Sequence, residues 1–289
     1  MALAQGAAGL RHEGGAVVAS DEGRIIKLAR NTAGWADIQF APRTLVDTGQ
    51  RSQAVTVFGR EWPTPMATAP TGFNAMAHSH GDIHIARAAA RAGIPFSLSS
   101  FSNATLEDVA AAAGVAPWLQ LYVMEDFSIT EALIERARAA GSEALLLTTD
   151  ANVHGLRERL RRCYRKPGAL TLWHLLEAGL HPLWLAGLAT GGKPTFANLA
   201  PYLPPHMATA AGGPHMVAAQ LRPTLTWEHV ARIRALWPGK LIVKGILRPD
   251  DALRAHIRHP VLAFAADVAH APPEGDLIVD SQDHKRIEL

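Results

Sequence analysis

Met66-Ala67-Thr68-Ala69-Pro70-Thr71-Gly72 is a short apolar run that ends on a polar, glycine-bearing tip. The same form returns at Pro95–Ser99, Trp118–Tyr122, Ala144–Thr148 and Leu241–Lys244. Helix-compatible stretches separate the runs. His84–Ala92 closes on Gly93, and Leu106–Ala113 follows Thr105, with Asp108 placed for a cap. Ser128 and Glu131 suggest a capping box for a helix to Ala140, stopped by Gly141. Trp227–Leu236 and a stretch opening near Pro249-Asp250-Asp251 complete the set. Strands alternating with helices over short loops predict a parallel sheet. Polar tips at the C-terminal strand ends predict an α/β TIM (β/α)8-type barrel, whose chemistry gathers on that face. Only about five strand–helix units are readable where eight close a barrel, so the barrel is expected to be incomplete.

The 289 residues are 48% hydrophobic and 19% charged, which suits one large core. A single domain over 1–289 is expected, with an N-terminal segment at 1–60 that includes a charged, helix-compatible stretch, Asp21–Asn31. A divergent tail is expected at 254–289. A net charge of +2 argues against a chain devoted to nucleic acid. One cysteine, Cys163, leaves no internal disulfide framework and suits a reducing cytoplasm. No signal-peptide pattern opens the chain, and no apolar run reaches the ~20 residues that span a bilayer. Between 150 and 224 no clean strand is readable, and a connection this long is expected to be a lid or a membrane-facing loop.

Two N-terminal marks and seven further elements in order carry a family resemblance. Gly14-Gly15-Ala16 and Pro42-Arg43-Thr44-Leu45-Val46-Asp47 precede Ala69-Pro70-Thr71-Gly72 and the stretch from His78 to Ala90. Ser99-Ser100-Phe101, Trp118-Leu119-Gln120-Leu121-Tyr122, Thr148-Thr149-Asp150, Gly155-Leu156-Arg157-Glu158 and Val243-Lys244-Gly245 follow. Together they resemble the FMN-dependent 2-hydroxy acid dehydrogenases and oxidases, the group of glycolate oxidase, flavin lactate dehydrogenase and mandelate dehydrogenase. The resemblance runs from about Gly14 to about Leu253.

The resemblance implies an FMN site in which the Pro70-Thr71-Gly72 backbone lies against the flavin and Ser99, Gln120, Thr148 and Lys244 surround the ring. A lysine there suits the chemistry, because a reduced flavin carries negative charge at its pyrimidine edge. In isolation, a strand-end lysine reaches solvent and strand-end Ser, Gln and Thr satisfy backbone groups. Arg157 matches the arginine that grips the substrate carboxylate, a task for a planar guanidinium with two parallel donors. Tyr122 matches a substrate hydrogen-bonding tyrosine, and Asp150 the carboxylate that orients a catalytic histidine. The implied reaction oxidises a small lactate- or mandelate-like 2-hydroxy acid to the 2-oxo acid, with a quinone or oxygen as electron acceptor. A homo-oligomer is also implied.

His181-Pro182-Leu183-Trp184 and its surroundings look most like the lactate and mandelate dehydrogenase branch. Peripheral contact with the inner membrane through 157–216 is the expectation there, since a basic run stands beside Trp and Leu. A solvated loop over the barrel mouth is the alternative. His78, His80 and His84 fall on a loop and helix start, so a metal site is not expected. The family's histidine base, its second carboxylate-binding arginine and its phosphate loop have no recognisable counterpart after Leu253. His270, which closes a strand-like apolar run, reads as an ordinary tail histidine, and no catalytic residue is assigned. Two readings follow: an FMN-dependent hydroxy acid oxidoreductase, or an inactive remnant of that family.

Overall fold

The computed structural model describes residues 44–150, 164–166, 169–192, 194–205, 207, 224–246, 248–258 and 262–265. An antiparallel hairpin, β1 (Val55–Val57) and β2 (Arg60–Trp62), comes first. Then follow β3 (Thr68–Thr71), α1 (Asn74–Ala77), α2 (Gly81–Ala92), β4 (Phe96–Ser99), α3 (Leu106–Ala113), β5 (Trp118–Leu121), α4 (Phe127–Ala139) and β6 (Ala144–Thr148). A two-stranded piece, β7 (Tyr164–Lys166) and β8 (Ala169–Leu170), leads to α5 (Leu172–Gly179) and α6 (Pro182–Gly191). The last described elements are α7 (Trp227–Leu236), β9 (Lys240–Ile246), α8 (Pro249–Arg258) and β10 (Leu262–Ala265).

Six strands form one parallel sheet in the order β10-β9-β6-β5-β4-β3, curled as a half-barrel. The five strands read from sequence are all present. The sixth, β10, lies in the tail expected to diverge, within the apolar run noted before His270. It pairs in parallel with β9, Leu262 opposite Ile242 and Phe264 opposite Lys244. A bulge at Gly245 interrupts that register, since Phe264 faces Lys244 but Ala265 faces Ile246. Gly245 has φ +101°, and a Cβ there would come within 2.6 Å of the Asp150 side chain, so only glycine fits.

Period-two alternation divides the strands into two faces. Leu98, Leu119, Leu121, Leu145, Leu147, Leu241 and Val243 belong to the main core with Ala86, Val109, Leu133, Ala137, Val230, Ile233 and Ala255 of the helices. Each fully buried aliphatic side chain contributes roughly 1.5–3 kcal/mol. The opposite face changes character along its length. Trp118, Ala144, Leu146 and Ile242 are apolar and pack with Trp62, Val55, Val57 and Phe58 of the hairpin. Two residues further along, the same face carries Gln120, Thr148 and Lys244.

The hairpin is a plug for the apolar end. Phe58 and Gly59 both have positive φ, 58° and 75°, as a two-residue turn between tightly paired strands requires. The rings of Phe58 and Trp62 meet Trp118 edge-on at 5.7 Å and 6.2 Å. Nothing in the sequence reading assigned it.

Helix α4 corrects the expected capping box. Its N-cap is Asp126, whose carboxylate accepts from Ser128 N at 3.0 Å and Ser128 Oγ at 2.7 Å. An aspartate two residues upstream outcompetes the serine because it can bond the same orphan donors as a carboxylate. Thr105 caps α3 as expected, accepting from Asp108 N at 3.0 Å. The segment read as a loop from 150 to 224 contains the β7–β8 pair, two α-helices and a short 3-10 helix at Ala200–Tyr202 among its described residues. Residues 1–43, with the expected Asp21–Asn31 helix, lie outside the described residues, as do Cys163 and His270.

Candidate functional site

The polar tips of β3, β4, β5, β6 and β9 share one rim. On β4 and β5, Ser99 stands opposite Gln120 in register. Ser99 Oγ donates to Gln120 Oε1 at 3.1 Å, and Ser100 N reaches the same oxygen at 3.3 Å. Gln120 Nε2 donates to Thr148 Oγ1 at 2.9 Å. Thr148 in turn lies opposite Lys244 on β9. Ser99, Gln120 and Thr148 are all buried. Burial and bonding fix their rotamers, leaving one Gln120 N–H proton beyond the Thr148 bond.

Lys244 is partly exposed, and its Nζ lies 3.3 Å from Asp150 Oδ2. Thr149 ties the two strand ends together, its N and Oγ1 both donating to Lys244 O at 2.9 Å and 3.0 Å. Asp150, read as a histidine-orienting carboxylate, is therefore the lysine's partner here.

Pro70, Thr71 and Gly72 form the adjoining tip of β3, the edge strand. A Cβ on Gly72 would stand 3.1 Å from Phe101 Cβ, so the glycine permits the β3 and β4 tips to touch. Phe73 N donates to Phe101 O at 3.2 Å across the same junction. Tyr122 follows β5, half-buried, its ring stacked on Phe101 at 4.8 Å. The structure thus gathers Pro70, Thr71, Gly72, Ser99, Gln120, Tyr122, Thr148 and Lys244 along neighbouring tips. Arg157 lies outside the described residues.

Several supporting residues escaped the sequence reading. Ser100 Oγ donates to Gln120 O at 2.6 Å, locking the second serine of the Ser-Ser pair. Buried Asn198 accepts from Leu106 N at 2.9 Å and donates to Ser102 Oγ at 2.8 Å, stitching 194–200 onto the β4 side. Arg136 reaches Asn198 O at 3.0 Å while gripping Glu107 at 2.6 Å and 2.8 Å. That hydrogen-bonded guanidinium holds the Glu107 carboxyl below its usual range, and Glu107 raises Arg136 in return. An asparagine far from any strand tip carries no sequence signal for such a role. His78 meets His84 edge-on at 5.3 Å, and its Nδ1 lies 2.7 Å from Ser79 O.

Two concavities lie away from the rim. One of about 320 Å³ sits at the plugged end against Arg60, Trp62 and Glu143, and one of about 450 Å³ beside His78 and His84. Neither includes Ser99, Gln120, Thr148 or Lys244. The convergence of fixed donors weighs more than hollow volume in locating a site, because orientation by polar groups defines a ligand pose.

The matches agree with the geometry. A family model for FMN-dependent dehydrogenases matches residues 8–259. An L-lactate oxidase from Nostoc sp. is 40% identical over 82% of this chain and 60% of its own length. The (S)-mandelate dehydrogenase of Pseudomonas putida is 36% identical over 75% of this chain and 54% of its own. A solved structure of a monotopic membrane protein, (S)-mandelate dehydrogenase, superposes with TM-score 0.68 at 35% identity, covering 75% of this chain and 57% of that one. The chain thus spans 54–60% of the length of these two curated relatives. FMN is the cofactor of the matching family. The donor set fits the polar edge of its ring: an amide, a hydroxyl and an ammonium fixed side by side above an apolar floor. Strand order, rim chemistry and a match across most of the sequence agree, and the chain belongs to the FMN-dependent dehydrogenase family, with the TIM-type barrel fold.

Proposed function

We propose that this chain binds FMN at the rim of β3–β6 and β9 and serves the oxidation of a small, lactate- or mandelate-like 2-hydroxy acid to the 2-oxo acid. The observation that carries the reading is the buried Ser99–Gln120–Thr148 relay, set in register with Lys244. When bound, FMN supplies a ring that takes up the hydride equivalent. Gln120 and Thr148 would hold the ring's polar edge, with Ser99 fixing the Gln120 amide. Lys244 would place positive charge where reduction builds negative charge. The tips at Pro70, Thr71 and Gly72 would support the ring from the β3 side. Tyr122, braced by Phe101, would hydrogen-bond the substrate, and Arg157 would grip its carboxylate.

The test is a visible spectrum of the purified chain reconstituted with FMN. Flavin bands near one per protomer, bleached by L-lactate or L-mandelate without oxygen, support the reading. A colourless protein that takes up no FMN overturns it. A second reading, a flavin-binding but inactive relative, draws on the pairing of Asp150 with Lys244 rather than with a histidine. Flavin bands that neither acid bleaches would select it.

The electron acceptor would be a quinone or oxygen, separated by following turnover with a soluble quinone and with an oxygen electrode. Peripheral membrane contact is proposed through the 157–216 segment. Leu172, Trp173, Leu176, Leu180 and Leu183 are all strongly exposed on or beside α5 and α6, and no described helix is long and apolar enough to cross a membrane. Such a surface suits the interface of a bilayer. Flotation with anionic vesicles should be lost in Leu176→Asp/Leu183→Asp; unchanged flotation would remove this surface from consideration. A homo-oligomer and the single-domain layout over 1–289 belong to the same proposal.

A further inference from the structure

Asp82 is 1% exposed in the first turn of α2, yet it makes no cap of its own helix that the structure records. Its two oxygens serve two different loops. Oδ1 accepts from Asn74 Nδ2 at 2.7 Å, and Oδ2 accepts from Asn103 N at 2.8 Å. Each partner leads to a strand tip. Asn74 Nδ2 also donates to Thr71 O at 3.2 Å, and Asn74 Oδ1 accepts from Thr71 Oγ1 at 3.1 Å. Asn103 follows the β4 tip. Its Oδ1 accepts from Ala75 N at 2.9 Å, and its Nδ2 donates to Thr195 O at 2.8 Å. Gly81 completes the arrangement: a Cβ there would stand 3.0 Å from both Cβ and O of Asn74, so a side chain in the turn that brings Asp82 inward would press on Asn74.

A buried carboxylate costs free energy to desolvate and is retained where several donors need it. Here the donors belong to the segments that place Thr71-Gly72 on one side and Ser99–Phe101 on the other. We infer that Asp82 is a positioning residue for the flavin rim, fixing the separation of the β3 and β4 tips without touching cofactor or substrate. The inference rests on the FMN reading above and extends it to a residue behind the site. Asparagine at this position keeps the volume but offers one acceptor oxygen for two donors, and turns an N–H group against one of them.

The experiment compares wild type, Asp82→Asn and Val109→Ala, the last a fully buried core change in α3 whose side chain donates and accepts none of these hydrogen bonds. Three quantities are read on each: thermal midpoint without flavin, FMN dissociation constant by fluorescence quenching, and amide hydrogen exchange without flavin at 71–77 and 100–104. Asp82→Asn is expected to weaken FMN about tenfold or more, shift the bound flavin's visible band and speed exchange in both loops together. Val109→Ala is expected to lower the midpoint while leaving FMN affinity within about twofold. If Asp82→Asn leaves affinity, band and exchange as in wild type, the role is refuted. If Val109→Ala weakens FMN as much, the effect is general destabilisation and the role is again refuted. Should Asp82→Asn not fold, Asn74→Ala severs Asp82 from the Thr71 side and leaves its bond from Asn103 N in place, and wild-type FMN affinity in it would refute the inference. A wild type that binds no FMN overturns the flavin role, while faster exchange in both loops of Asp82→Asn would still establish the coupling between them.

Discussion

Gln120 Nε2 donates to Thr148 Oγ1 at 2.9 Å across two adjacent parallel strands, with both residues buried. The bond joins two side chains that stand two residues out of direct register, since Gln120 faces Leu146. A long amide side chain leaning along its strand closes that gap. Gln120→Leu would therefore leave Ser99 Oγ, Ser100 N and Thr148 Oγ1 without their partner. Each orphan costs about 1–3 kcal/mol, so a fall of several degrees in thermal midpoint and at least about tenfold weaker FMN binding are expected. Differential scanning calorimetry and flavin titration read both, and an unchanged affinity would separate the relay from the cofactor.

Lys244→Met removes the ammonium and leaves Asp150 without its 3.3 Å partner. Fixed charge at a reacting edge is typically worth ~10²–10³ in rate. The variant should bind FMN but show a more negative midpoint potential and slower bleaching by hydroxy acid. Spectroelectrochemistry measures the first, and an unaltered potential would place Lys244 away from the ring.

Gly245→Ala forces an L side chain into φ +101° and drives a methyl against Asp150. Strained backbone of this kind costs of order 1–3 kcal/mol before the clash is counted. Loss of stability in urea should accompany an altered flavin environment, because the bulge sits beside Lys244.

The bond from Arg136 holds the Glu107 carboxyl below the ordinary carboxylate range in the folded chain. A depressed carboxylate contributes stability that is present above the unfolded pKa and lost as pH falls through the folded one. The loss therefore begins below about pH 4.5 and follows Glu107 protonation. Glu107 is half-exposed, so solvent screening keeps the contribution near ~1 kcal/mol or less. Glu107→Gln should flatten that acid limb and loosen residues 194–200, which Arg136 also holds through Asn198. Chemical denaturation between pH 3 and pH 6, values set by the titration range of a carboxylate, gives the comparison.

The barrel strands and their tips are legible because each repeats one local pattern, an apolar run closed by Ser, Gln-Leu-Tyr, Thr-Thr-Asp or Lys-Gly. Period and punctuation are written in consecutive residues there. The plug is not, since Val55-Thr56-Val57-Phe58-Gly59-Arg60-Glu61-Trp62 has neither length nor an Asn-Gly turn, and Phe58 takes positive φ without advertising it. Helix α6 shows no amphipathic period across Pro182-Leu183-Trp184-Leu185-Ala186-Gly187-Leu188, so it reads as loop. One of its ties to the rest is an indole, Trp184 Nε1 donating to Met76 O at 2.7 Å. Asp82 and Asn198 act through loops that only tertiary folding brings near. Strand β10 lies in an apolar run that reads as strand-like but carries no motif, and its pairing with β9 is what assigns it to the sheet.

The plug has a consequence for synthesis. Val55, Val57, Phe58 and Trp62 are synthesised before Trp118, Ala144, Leu146 and Ile242, which cover them. During that interval a greasy, sequence-local hairpin waits uncovered, the kind of surface that invites chaperones and misassembly. Translation pace between Trp62 and Ile242 sets how long that interval lasts.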